Sequence, residues 1–82
     1  MRYIVGDIGN TSTKICILND KFKIIKSLDF TTNRIYKNNY LKKVLKNYLN
    51  KKINPNFLFS SVVPVAMKEI KKKFKSTKYK FF

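Results

Sequence analysis

Asp7-Ile8-Gly9-Asn10-Thr11-Ser12-Thr13-Lys14 is the stretch on which the reading of this chain turns. It follows Tyr3-Ile4-Val5-Gly6, a short apolar run closed by Gly6, Asp7 and Gly9, which reads as a buried strand ending in a tight turn. It leads into Thr13-Lys14-Ile15-Cys16-Ile17-Leu18, a second β-branched run. The stretch is therefore the bend of a hairpin. One reading gives each residue a task in holding a nucleotide's phosphates. Asp7, with no other acid before Asp20, could face a hydrated Mg²⁺. Gly9 lets backbone come close and permits a positive φ, while Asn10, Thr11, Ser12 and Thr13 add short donors beside the loop's N–H groups. Lys14 adds a positive charge where the second strand begins. A Walker loop is excluded, since that needs Gly-Lys-Ser/Thr opening a helix. The other reading is a plain hairpin turn, which favours Gly, Asn and Thr for its own reasons.

Outward from the bend, Asn19-Asp20-Lys21 supplies turn chemistry, and Phe22 to Leu28 reads as a third strand. The first 30 residues make a three-stranded antiparallel meander. Thr31-Thr32-Asn33 can cap a helix, and Ile35, Leu41, Val44, Leu45, Tyr48 and Leu49 follow at three- and four-residue spacing, which predicts an amphipathic helix of about four turns. Asn54-Pro55-Asn56 breaks that pattern. Phe57-Leu58-Phe59-Ser60-Ser61-Val62-Val63 reads as a fourth strand, apolar on both faces and so needing cover on both. Pro64 suits the first turn of a second helix with a stripe of Ala66, Met67, Ile70 and Phe74. The order is βββαβα in an α/β fold. Residues 75–82 read as a basic, frayed tail, because the helical stripe has stopped.

Composition sets limits on function. The 82 residues suffice for one small domain, which buries only roughly 60% of the surface its unfolded chain exposes. With one cysteine and no histidine, disulfide frameworks, Cys/His zinc sites and Ser-His or Cys-His nucleophile pairs are excluded. The longest apolar run, Val62 to Met67, is six residues and contains Pro64, against roughly 20 needed to span a bilayer. Met1 to Asp7 reaches a carboxylate before a signal-type run can build, so a cytoplasmic protein with no membrane partner is expected. The net charge of +15 invites a polyanion partner. Yet 17 of the 19 basic residues are Lys, and Lys, Asn, Ile, Phe and Tyr, all with adenine- and thymine-rich codons, fill 47 of the 82 positions. Genome base bias accounts for most of the charge, and only Arg2 and Arg34 could make bidentate base contacts. A small basic nucleic-acid-binding protein is the alternative of a different class.

Asp-Ile-Gly-Asn-Thr at a hairpin after the N-terminal strand resembles the first phosphate motif of the type III pantothenate kinases, within the superfamily of actin, heat-shock ATPases and sugar kinases. Ser60-Ser61-Val62-Val63-Pro64 is similar to the Ser-Ser-Val-Val-Pro of the same family at the end of its fourth strand. The resemblance runs from about Arg2 to Phe74. It implies a ribonuclease-H-like βββαβα half-domain, incomplete, with residues 1–74 a partial N-terminal ATP-binding domain of a two-domain kinase. It further implies ATP and Mg²⁺, a monovalent cation (K⁺ or NH₄⁺), a homodimer, and phosphorylation of pantothenate, the first step of coenzyme A biosynthesis. Residue by residue, the ATP-binding role falls on Asp7, Ile8, Gly9, Asn10, Thr11, Ser12, Thr13 and Lys14, with Asp7 on the metal side. The family's general base is an Asp in a Gly-x-Asp-Arg segment. This chain has no Asp after Asp29, and Glu69 is its only later acid. It carries no catalytic residue, and the expectation is an inactive fragment, a degenerate remnant, or a non-catalytic relative.

The remaining candidates have ordinary readings. Ser60 and Ser61 have no base to activate them and suit backbone satisfaction at a strand end. Cys16 sits among Ile15, Ile17 and Leu18 as a small hydrophobe. Tyr40 and Tyr48 lie near the apolar stripe as core edge, and Tyr36 is the third aromatic of that Lys-rich segment. Lys71 to Phe82, with Phe74, Phe81 and Phe82 between lysines, resembles a weak membrane-surface or nucleic-acid element, but a frayed or frameshifted end is the better reading because the helical stripe stops there.

Overall fold

A computed structural model describes residues 2–37, 39–48, 56–74 and 80–81. Strands β1 (Tyr3–Ile8), β2 (Ser12–Leu18) and β3 (Ile24–Thr31) form the expected antiparallel meander, and β4 (Asn56–Ser61) and β5 (Lys80–Phe81) complete a sheet of order β3-β2-β1-β4-β5. β4 runs parallel to β1, in the register Ile4↔Phe57, Gly6↔Phe59, Ile8↔Ser61, and β5 runs parallel to β4. The last pairing engages two residues of the stretch expected as a tail.

Side-chain period two decides which face is buried. Ile4 and Ile8 of β1, Thr13, Ile15 and Ile17 of β2, Phe30 of β3 and Phe57 of β4 share the covered face. Ile35, Leu41, Leu45, Ala66, Ile70 and Phe74 close over it in one continuous core. The opposite face carries Val5, Asp7, Lys14, Leu58 and Ser60, and among the described residues no helix packs there. β4 was expected to need cover on both sides; only Phe57 is fully buried, and Leu58 and Phe59 are half-buried.

β3 runs three residues beyond the expected Leu28, to Thr31, which pairs with Ser12, and two further strand boundaries differ from the sequence reading for reasons of turn chemistry. β3 begins at Ile24 because the side-chain oxygen of Asn19 accepts from the Lys21 and Lys23 amides at 2.9 and 3.0 Å, and Phe22 takes φ 63°. The turn thus absorbs Phe22 and Lys23, which the sequence reading assigns to the strand. β4 ends at Ser61, whose hydroxyl accepts from the Val63 amide and donates to the Val63 carbonyl, both at 2.9 Å.

The four-turn helix is replaced by three short pieces: a 3-10 turn at Thr32–Tyr36, helix α1 at Tyr40–Val44 and a 3-10 turn at Lys46–Tyr48. Lys37 is extended at ψ 140°, and Asn39 is left-handed at φ 61°. Asn tolerates that region and competes poorly for helix, so an Asn-rich segment breaks where a leucine-rich one would continue. The spacing nevertheless marked the right side chains, since Ile35, Leu41 and Leu45 are fully buried; Leu49 lies outside the described residues. Helix α2 (Pro64–Lys73) begins at Pro64 as expected and buries Ala66 and Ile70. Its C-terminal Lys71, Lys72 and Lys73 suit the negative end of the helix dipole. Lys73 reaches across to donate to the carbonyls of Ile35 and Lys37. No helix among the described residues is long and apolar enough to cross a membrane.

Candidate functional site

The β1–β2 bend is closed by the Gly9 amide donating to the Ser12 carbonyl at 2.9 Å. Gly9 was expected to supply a positive φ; no described glycine has one. Its role is close approach, because a Cβ on Gly9 would stand 3.0 Å from the Ser12 carbonyl oxygen. The bend is tight because position 9 has no side chain.

The eight candidate residues divide by face. Asp7, Asn10, Thr11, Ser12 and Lys14 are exposed at the hairpin end, and Gly9 is half-buried. Asp7 pairs across the sheet with Lys14 on one side and Ser60 on the other. Ile8 is instead a core residue whose carbonyl accepts from the Val62 amide at 3.1 Å. Thr13 is 1% exposed, and its hydroxyl, read from sequence as a free donor, is 2.9 Å from that of Thr32. The sheet thus places Ser60 and Ser61 directly beside Asp7 and Ile8, uniting two motifs some fifty residues apart.

Thr32 is the residue that sequence reasoning missed. It is 4% exposed, donates its hydroxyl to the Gly9 carbonyl at 2.7 Å, and donates its amide to the Thr11 carbonyl at 2.9 Å. In the sequence it stands in a Thr-Thr-Asn run that reads as a helix cap, and nothing local marks contacts with residues 19 to 23 positions away.

Two hollows open on the described surface near the sheet end that carries the bend. One, of about 370 Å³, is lined by Val5, Gly6, Asp7, Leu58, Phe59 and Ser60. The other, of about 410 Å³, lies where β3 meets the 3-10 turn; Thr31, Asn33, Arg34, Lys37 and Tyr40 line it, with the Arg34 guanidinium over the Tyr40 ring. No group of three His, Cys, Asp or Glu side chains converges among the described residues. The exposed Asp7 carboxylate, paired in the sheet with Lys14 and Ser60, offers hard oxygen ligands only, which suits a mostly hydrated Mg²⁺ shared with phosphate oxygens and does not suit zinc.

A family model described as type III pantothenate kinase matches residues 3–81. The chain is 48% identical over 73 residues to a type III pantothenate kinase of Pelagibacter ubique (strain HTCC1062). That alignment covers 88% of this chain and 29% of the relative, so the chain spans less than a third of that protein's length. Among solved structures, a Bacteroides thetaiotaomicron protein with an actin-like ATPase fold superposes with TM-score 0.62 at 16% identity, covering 99% of this chain and 32% of that one. An Aquifex aeolicus member of the Ppx/GppA family superposes with TM-score 0.52 at 14% identity, over 100% of this chain and 35% of that one. The fold is an incomplete ribonuclease-H-like half-domain of the actin-like ATPase type.

Proposed function

The chain belongs to the type III pantothenate kinase family, and from that premise we propose that its β1–β2 bend grips the phosphates of ATP as the nucleotide side of a pantothenate kinase cleft. Residues 1–74, with β5 added to their sheet, are the ATP-side domain in this reading. The exposed side chains of Asn10, Thr11, Ser12 and Lys14 and the loop amides are the groups that meet phosphate oxygens, while Ile8 and Thr13 anchor the loop from beneath. Asp7 is the carboxylate that would hold Mg²⁺, an ion that neutralises charge on the transferring phosphoryl group when bound. The observation that carries the reading is the juxtaposition of Asp7 and Ile8 with Ser60 and Ser61, side by side in the sheet where β1 enters the bend.

What these 82 residues do not supply is an oriented and deprotonated acceptor. Phosphoryl transfer depends on positioning and on charge stabilisation from several sides of the phosphate. The one acid after Asp29 is Glu69, whose carboxylate lies 4.0 Å from Lys73 on α2. We therefore assign the chain a nucleotide-holding role with no turnover of its own. Titrating the ¹⁵N-labelled chain with ATP·Mg²⁺ tests this: amides from Gly9 to Thr13 shift if the bend holds phosphate, and an unchanged spectrum at millimolar nucleotide overturns the proposal.

A further inference from the structure

Resting on that reading of the bend, we propose that Thr32 is a positioning residue that aims the loop's donors, and that its hydroxyl rather than its bulk sets the affinity for a nucleotide's phosphates. The hydrogen bonds give the network a direction. Thr32 spends its single hydroxyl proton on the Gly9 carbonyl at 2.7 Å, so the 2.9 Å contact between the two hydroxyls requires Thr13 to be the donor and Thr32 the acceptor. The chain runs from Thr13 through Thr32 to Gly9. Both side chains are buried, at 1% and 4% exposure, so water does not compete for either bond. The Thr32 amide fastens the bend a second time, at the Thr11 carbonyl.

The consequence follows from peptide planarity. In a trans peptide the C=O and N–H point in opposite directions. Drawing the Gly9 carbonyl inward to Thr32 turns the Asn10 N–H outward, to the exposed tip where a phosphate oxygen would arrive. The bend therefore does not have to reorganise on binding, and Thr32 keeps the donor aimed without touching the ligand.

Thr32→Val keeps the shape and removes the hydroxyl, and Thr32→Ser restores it. Two readouts on the full chain separate the possibilities. Without ligand, amide hydrogen exchange at Gly9 and Thr32 is expected to quicken about tenfold or more in T32V relative to Ile4 and Ile15, and to stay within about threefold of wild type in T32S. With ATP·Mg²⁺, T32V is expected to bind about tenfold more weakly or worse and T32S within about threefold of wild type. A wild-type chain that responds to nucleotide while T32V either binds it as tightly or exchanges no faster overturns this inference and leaves the loop reading intact. A wild-type chain that ignores nucleotide overturns the loop reading and the binding role of Thr32 with it. Should T32V not fold, the wild-type chain still decides: a hydroxyl held in this way gives its own slowly exchanging proton resonance, with a cross-peak to the Gly9 α-protons, and absence of that resonance overturns the proposal.

Discussion

Gly6→Ala should destabilise the protein, and Phe59 should be the reason. A Cβ at position 6 would lie 2.7, 2.8 and 2.9 Å from Cε2, Cδ2 and Cζ of the Phe59 ring. Carbon atoms rest about 3.5–4.0 Å apart, so the ring must retreat by roughly 0.8 Å or more. It is not free to do so without consequence, because it packs on Phe57 at 5.9 Å between ring centres, and Phe57 packs on Phe74 at 5.3 Å at the end of α2. Overpacking of this sort costs about 1–3 kcal/mol. Position 6 has no positive φ, so alanine also restricts the unfolded chain and offsets about 0.4–1 kcal/mol of that. The net expectation is a loss of about 1–2 kcal/mol, or roughly 5–15 °C in melting temperature for a domain of this size. Thermal and urea unfolding of wild type, G6A, F59A and G6A/F59A give the double-mutant cycle. With the ring gone, the alanine should be neutral or slightly stabilising. A coupling energy below about 0.5 kcal/mol would refute the steric account.

Three further outcomes follow from the same geometry. Asp7→Asn, at an exposed position, should leave stability within about 0.5 kcal/mol of wild type but weaken Mg²⁺-dependent nucleotide binding about tenfold, as isothermal titration would show. DNA binding that falls steeply with salt and ignores D7N would instead favour a basic nucleic-acid binder. Lys73→Met keeps the aliphatic stem but removes the donations to Ile35 and Lys37, and should cost about 1–2 kcal/mol in urea unfolding; no change would mean that this tie between α2 and the 3-10 turn does not hold the fold. Incubated with ATP, Mg²⁺, K⁺ and pantothenate, the chain should give no phosphopantothenate, and clear turnover by chromatography would contradict its assignment as the nucleotide side alone.

The parts of this structure that were legible in the sequence are those governed by local periodicity. The apolar and β-branched runs at Tyr3–Ile8 and Ser12–Leu18 mark the two strands of the hairpin, and three- and four-residue spacing marks Ile35, Leu41 and Leu45 as core. Pro64 marks the start of α2 by the chemistry of its missing N–H. What was not legible depends on competition between local and distant partners. The segment after β3 has the pattern of one helix, but Asn39 adopts a left-handed backbone and the Thr32 hydroxyl and amide turn back to Gly9 and Thr11. The same competition hides the division of the candidate site. Ile8 and Thr13 look like loop residues by position, and only the cross-strand register shows that both face the core. Phe22 reads as strand until its positive φ, fixed by the Asn19 turn, places it outside.

The central claim is that the Gly9–Thr13 bend is a phosphate cradle. Its most direct test is a crystal structure of the chain with a non-hydrolysable ATP analogue and Mg²⁺. The account expects triphosphate oxygens within hydrogen-bond distance of the loop amides, with the metal on the Asp7 side. An ordered nucleotide bound elsewhere, or a bend left untouched at saturating ligand, would contradict it.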